Sequence, residues 1–127
     1  MDMPFDEADW VKARVNGSAR AAFFRLLAGL RKDVATRNAH RKPGDAFKLE
    51  IVESKDGVTI ARHDGGSPKQ VRFTHGDGRI EAVGDGVRLR ATLTLNGHGQ
   101  CRLNLDGTPT EDWRFRQLAL ETLFFGE

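Results

Sequence analysis

Residues 79–95 read RIEAVGDGVRLRATLTL and decide the fold. Apolar and polar residues alternate strictly from Val87 to Leu95, which is the period of a β-strand with one buried face. Residues 79–82 before Asp85-Gly86 alternate as well, and Asp-Gly between two such runs is typical of a two-residue hairpin turn. We therefore expect an antiparallel hairpin with one apolar face and one polar face.

Similar turn signals recur through the second half of the chain, at about the 8–12-residue spacing of hairpin-linked strands. They lie at Asp56-Gly57, Gly65-Gly66, Asp77-Gly78, Asp85-Gly86, Asn96-Gly97 and Asp106-Gly107. This recurrence predicts an antiparallel meander of about six strands. The predicted strands are Phe47–Glu53, Val58–His63, Lys69–His75, Arg79–Val83, Val87–Leu95 and Gln100–Leu105.

The hairpin quoted above also fixes a register, because its turn pairs Glu81 with Arg90 on the polar face. The same rule, applied to a turn at residues 76–77, pairs Arg72 with Glu81. Alignment of the last hairpin would place Arg90 opposite Asp106. The four side chains then form a row of alternating charge, so we expect Arg72 and Arg90 to be neutralised structural residues.

Helix signals precede the strands. Asp6 can cap a first helical turn, and six apolar residues further on share one stripe at about 100° per residue, which is typical of a helix lying on a core. We expect that helix to leave the core after Val34 and to end before Pro43-Gly44. Asn16-Gly17 offers a break, so the region is predicted as one helix or a helix pair. The stripe consists of Ala19, Phe23, Leu26, Leu27, Leu30 and Val34.

A second helix is predicted at the other end of the chain. Thr108-Pro109-Thr110-Glu111 has the sequence of a capping box with proline at the first helical position. The residues after it supply an apolar face that must cover part of the sheet. We predict a single α+β domain over residues 1–127, with both helical regions packed on the sheet. The predicted apolar face consists of Trp113, Phe115, Leu120, Leu123 and Phe124.

Composition excludes several classes of protein. Of the 127 residues 39% are hydrophobic and 30% charged, which is ordinary for a folded domain and unlike a disordered chain. No apolar run approaches the roughly 20 residues that span a bilayer, so no membrane association is expected. The acidic first residues and the single Cys101 favour a cytoplasmic location.

No reactive motif stands out, and no metal, cofactor or catalytic residue is assigned. The histidines lack metal-ligand spacing, and the glycine turns join strand to strand without a phosphate-binding helix. Cys101 is in phase with Leu103 and is predicted to be a buried structural thiol. An enzyme remains an alternative if the loops carrying His63, Asp64, His75, Asp77 and His98 converge.

The leading functional hypothesis is a small cytoplasmic non-catalytic binding or interaction module, with an unknown protein or a small apolar ligand as partner. A second hypothesis is a weak nucleic-acid or anion binder that uses the basic side of the N-terminal helical region. An apolar pocket could be lined by some of Phe23, Phe24, Leu27, Phe73, Trp113 and Phe124. The basic side consists of Arg20, Arg25, Arg31 and Lys32.

Overall fold

A computed structural model describes residues 10–42, 48–63, 68–76, 78–95 and 101–126. The chain forms a long helix, seven antiparallel strands in sequence order and a second helix. This confirms the predicted α+β meander, with one strand more than expected. The elements are α1 (Trp10–Ala39), β1 (Lys48–Ser54), β2 (Gly57–His63), β3 (Lys69–Gly76), β4 (Arg79–Gly84), β5 (Val87–Leu95), β6 (Cys101–Leu105), β7 (Thr108–Thr110) and α2 (Asp112–Phe125).

The N-terminal region is one continuous helix, which answers the question that Asn16-Gly17 left open. All six residues of the predicted stripe are buried, and Leu26 and Leu30 are fully so. The helix ends at Ala39, ahead of Pro43 as expected. The predicted cap at Asp6 lies outside the described residues.

Two-residue turns connect several strands, and glycine makes them sterically accessible. Gly86 has φ 75° in the β4–β5 turn. In the β6–β7 turn Asp106 and Gly107 both have positive φ, at 53° and 81°. Positive φ at both central residues matches the right-handed twist of the flanking strands, which is why Asp-Gly favours tight hairpins.

The start of α2 differs from the prediction. Residues 108–110 form β7 instead of a helical first turn, because the tight turn at residues 106–107 returns the chain alongside β6. Glu111 occupies the N-cap position without a side-chain capping bond. The interpretation of Thr108-Pro109-Thr110-Glu111 as a capping box is therefore wrong, although the helix that it predicted is present.

The predicted register is confirmed for two hairpins. Glu81 pairs with Arg90 across β4 and β5, and Leu95 pairs with Cys101 across β5 and β6. The alternation in β5 is confirmed too: Ala91 is buried on one face, and the polar residues at 88, 90, 92 and 94 are exposed on the other.

The predicted register of the β3–β4 hairpin is wrong by two residues. Gly76 pairs with Arg79, so the turn lies one residue later than assumed, with Gly78 at φ 71°. Arg72 consequently lies opposite Val83, and Thr74 takes the place opposite Glu81. A two-residue shift keeps every side chain on its predicted face but changes its cross-strand neighbours.

The predicted row of alternating charges therefore does not form. Arg72 does not reach Glu81, and its guanidinium lies 3.4 Å from the Thr59 hydroxyl. Asp106 belongs to the turn after β6 rather than to the ladder beside Arg90. Glu81 instead accepts from Arg90 (3.3 Å) and from Arg79 on its own strand (2.7 Å).

Polar side chains attach both helices to the sheet. The Asn38 side-chain amide donates to the Leu49 carbonyl (2.9 Å) and accepts from the Leu49 N–H (3.0 Å). Because β1 is an edge strand, Asn38 supplies two hydrogen bonds that a neighbouring strand would otherwise make. The Arg62 guanidinium donates to the Gly126 carbonyl (2.6 Å), placing positive charge at the C-terminal end of α2.

The apolar face of the sheet and the two helices share one core. Phe73 of β3 meets Phe115 of α2 edge to face, with ring centroids 6.3 Å apart, and neither side chain is accessible to solvent. Trp113 was predicted to lie on the buried face of α2, but it is 58% exposed. Ala119 takes the buried position in its place, together with Phe115, Leu120, Leu123 and Phe124.

Truncating Leu120 to alanine should lower the free energy of unfolding by about 2–5 kcal/mol, because the side chain is 3% exposed within the shared core. Leu118 provides a matched control on the same helix, since it is 39% exposed. We expect Leu118→Ala to change stability by less than about 1 kcal/mol. Urea denaturation of both variants measures the difference, and equal losses would mean that α2 is not integral to the core.

Candidate functional site

An open groove of about 900 Å³ runs between the second half of α1 and α2. Its apolar floor comes from Leu120 and Phe124, which also belong to the core. Trp113 and Phe125 line it near opposite ends of α2, about 18 Å apart at 1.5 Å per helical residue. A concave apolar surface of this size is typical of a small-molecule binding site.

One end of the groove is fixed by Arg116, whose side chain is only 14% exposed. Its guanidinium lies 2.6 Å from the Asp33 carboxylate of α1 and 3.2 Å from the Asp112 carboxylate one turn earlier on α2. A Cβ on Gly29 would overlap the guanidinium, so glycine allows Arg116 to lie across α1. Burial raises the pKa of Asp112, and the nearby Arg116 charge opposes that rise.

Arg37 organises the other end. Its Nε donates to the Phe124 carbonyl (3.0 Å), and its guanidinium carbon lies 5.3 Å from the centroid of the Phe125 ring. The Phe124 carbonyl lies near the C-terminal end of α2, where a cationic side chain is favourable. The distance between the guanidinium and the Phe125 ring is within the range of a cation–π contact. Together these contacts hold α1 beside the end of α2.

The rim of the groove is polar. Lys32, Thr36 and His40 follow one another at intervals of four residues and form the outer wall on α1. Nδ1 of His40 donates to the Thr36 carbonyl (2.8 Å). Gln117 and Glu121 form the facing wall on α2 and are joined by a 3.2 Å hydrogen bond.

The groove has a small positive charge. Its lining contains three lysine or arginine residues and two acidic residues, which gives 3 − 2 = +1. Asp33 is engaged by Arg116, whereas no acidic side chain of the described part of the chain pairs with Lys32. Lys32 is therefore the cation at this rim best placed for an acidic group on a ligand.

The four predicted basic residues are exposed but do not share one face. At about 100° per residue, Arg20 and Arg31 lie on one side of α1, and Arg25 and Lys32 lie roughly 120° away. Arg31 is bound to Glu53 of β1, with Nε 3.1 Å from Oε2, and this hydrogen bond raises the pKa of Arg31. Lys32 lines the groove. Binding of nucleic acid through these four residues stays a prediction.

The residues predicted to line an apolar pocket are distributed over three environments. Phe23, Leu27 and Phe73 belong to the buried core, and Phe24 is 61% exposed on α1. Of these six predicted residues, Trp113 and Phe124 are the two that line the groove.

The enzyme alternative required His63 and His75 to converge, and the register separates them. They lie toward opposite ends of the antiparallel β2–β3 pair, on the order of 20 Å apart along the strands. They also lie on opposite faces, where His63 contacts Glu50 (2.9 Å) and His75 packs on the Phe23 ring, with centroids 4.3 Å apart. The other members of that set, Asp64, Asp77 and His98, lie outside the described residues.

Cys101 is buried, as predicted for a structural thiol, and burial raises the pKa of its thiol. Within the described ranges no three potential ligands of the His, Cys, Asp and Glu types come together around a metal position. No helix in the same ranges has an apolar stretch long enough to cross a membrane.

Comparisons with protein-family models, with curated proteins and with solved structures found no match to this chain.

The contact between Gly29 and Arg116 can be tested with a double-mutant cycle. Alanine is favoured over glycine inside a helix by about 1 kcal/mol. With Arg116→Ala present, Gly29→Ala should stabilise the fold by about 0.5–1 kcal/mol. In the wild-type background the gain should shrink or reverse, because the new methyl group displaces Arg116 from Asp33 and Asp112. Equal gains in both backgrounds, measured by urea denaturation, would show that Gly29 does not accommodate Arg116.

Proposed function

We propose that the protein is a non-catalytic binding module whose groove between α1 and α2 holds an amphiphilic ligand, with a hydrocarbon chain on the groove floor and an acidic group at the rim. The observation that carries this proposal is the combination of an apolar floor at Leu120 and Phe124 with the cation at Lys32. Of the two partner classes in the leading hypothesis from the sequence, this choice corresponds to the small apolar ligand.

The size of the groove supports a small ligand. Its volume of about 900 Å³ lies within the range of roughly 300–1,000 Å³ that is usual for ligand sites. Trp113 and Phe125 offer aromatic surfaces at its two ends, and both are largely exposed. A hydrocarbon chain between them would gain free energy mainly by removing these two rings from water.

The charge of the rim supports an acidic head group. Lys32 and Arg37 lie on the α1 wall, and the Arg37 side chain is already oriented by its bond to the Phe124 carbonyl. Glu121 on the opposite wall would repel a carboxylate, so the favoured head-group position is on the α1 side, near Lys32. A cytoplasmic location remains part of the proposal, and a single buried thiol at Cys101 is compatible with it.

Binding of decanoate tests this proposal, with Trp113 as the reporter in a Trp10→Phe background. We expect a saturable change in Trp113 fluorescence as decanoate fills the groove below its micellar concentration. Decyltrimethylammonium has the same chain with the opposite charge, and it should bind more weakly. Absence of a saturable signal with either amphiphile would refute a small-ligand groove and leave a protein partner as the alternative.

A charge reversal at the rim adds a specific control. Lys32→Glu should weaken decanoate binding by about tenfold, because a favourable charge contact is replaced by a repulsive one. The same variant should bind decyltrimethylammonium more tightly than the wild-type protein does. Arg20→Glu changes the net charge equally on the same helix outside the groove, and it should leave both affinities within about twofold. Equal effects of the two variants would refute a role for Lys32.

A further inference from the structure

The outer face of the sheet, opposite the helices, carries an excess of arginine. The corrected register places five arginines and one glutamate on this face of β3 to β6, a net charge of 5 − 1 = +4. The whole chain has a net charge of only +2. Positive charge is therefore concentrated on this face. We call it the arginine face, and it consists of Arg72, Arg79, Arg88, Arg90 and Arg102, with Glu81 among them.

The register gives the arginine face its geometry. Arg72 and Arg88 flank Val83 across three strands, which separates their backbones by about 9–10 Å. Arg90 lies two residues further along β5, about 7 Å from Arg88. Arg102 pairs with Thr94, so the charges extend over about 20 Å of the sheet.

Three of the five arginines make few or no polar contacts within the described part of the protein. Arg88 and Arg102 make no hydrogen bond or ion pair with any residue in the described ranges, and Arg72 has only its 3.4 Å contact with Thr59. All three are exposed. These three arginines have no acidic partner within the described residues, and together with Arg79 and Arg90 on the same face they create a strongly positive surface potential.

Glu81 neutralises only part of this charge. Its carboxylate accepts from Arg90 and Arg79, and the hydrogen bond from Arg90 is the main cause that lowers the pKa of Glu81. Glu81 therefore stays ionised at neutral pH and occupies two of the five guanidinium groups. The expected second acid, Asp106, lies in a turn and does not join the row.

We propose that the arginine face binds the phosphate backbone of duplex DNA without reading its sequence. This site is separate from the groove, and the proposal does not depend on the amphiphilic ligand. Guanidinium groups bind phosphate oxygens in a bidentate manner, and a face that carries several of them can contact several phosphates of a duplex at once.

Other features of the face favour a duplex over a single strand. Base stacking on aromatic rings holds single-stranded nucleic acids, and no phenylalanine or tryptophan side chain belongs to the outer face among the residues the structure describes. The apolar side chains exposed there include Val52 and Val83, which offer no stacking surface.

Several hydroxyl and amide groups of the face are already engaged within the protein, which disfavours recognition of RNA. Asn104 donates to the Thr94 hydroxyl (2.6 Å), and the Thr59 hydroxyl accepts from Arg72. Groups already bonded to one another are less available to recognise a ribose 2′-hydroxyl, by which proteins distinguish RNA from DNA. The remaining interaction is electrostatic contact with phosphates.

Titration of a labelled 24-base-pair DNA duplex at several salt concentrations tests the proposal. Affinity should fall with salt, with a log–log slope near −0.9 for each phosphate neutralised. The triple variant Arg72→Gln, Arg88→Gln, Arg102→Gln should bind at least about tenfold more weakly and with a slope less steep by about 2–3. None of these three residues holds an ion pair in the described part of the protein, so the melting temperature should be retained.

The matched control removes the same charge from α1. The triple variant Arg20→Gln, Arg25→Gln, Lys32→Gln should retain DNA affinity within about threefold. Equal weakening by both triple variants would overturn the proposal by showing a general charge effect. A larger loss in the α1 variant would assign binding to that helix instead.

Glu81→Gln provides a test in the opposite direction. Removing the acid leaves Arg79 and Arg90 available to phosphates, so DNA should bind about two- to fivefold more tightly, with a slope steeper by up to about 1–2. No DNA binding by the wild-type protein at 50 mM salt would overturn the proposal. Equal affinity for polyglutamate, duplex RNA or anionic vesicles would likewise overturn the assignment to DNA.

Discussion

The rest of the structure depends on the register of the β3–β4 hairpin. Gly76 pairs with Arg79, and Gly78 takes a positive φ of 71° that a side chain with a Cβ would resist. In this register the buried side chain of Phe73 lies opposite Ala82, and Val71 lies opposite Gly84. The same register places Arg72 opposite Val83 on the outer face of the sheet. Arg72 therefore has no acidic cross-strand neighbour.

The two helices bury the apolar face that the sheet alone would leave exposed to water. An antiparallel sheet with one apolar face needs a cover, and α1 and α2 supply it from opposite ends of the chain. Their junction is polar at Arg116 and Asp33 and apolar at Leu120 and Phe124. Because the ion pair and the Arg37 contacts hold the helices side by side, the open groove is a direct consequence of how the core is covered.

Much of the fold could be predicted from local patterns. The stripe from Ala19 to Val34 has helical periodicity, and Asp85-Gly86 between alternating runs specifies one turn. Gly76-Asp77-Gly78 instead offers two turns that differ in register by two residues and leave every side chain on the same face. Hydrophobic patterning cannot distinguish them, so the cross-strand partners of Arg72 were mispredicted.

The candidate sites were harder to predict because they depend on contacts distant in sequence. Asp33 and Arg116 are 83 residues apart, and nothing local indicates that they meet. Trp113 was assigned to the core because it shares a helical stripe with Leu120 and Phe124, but in the first turn of α2 that stripe borders the open groove and leaves Trp113 exposed. The arginine face required the correct register, without which its charges seemed to be paired.

Cross-strand nuclear Overhauser effects between backbone protons of β3 and β4 test the central claim most directly, since they report register residue by residue. The account predicts contacts between Arg72 and Val83 and between Thr74 and Glu81. Contacts between Arg72 and Glu81 and between Phe73 and Ile80 would contradict it, because they would give Arg72 the acidic cross-strand neighbour that the account says it lacks.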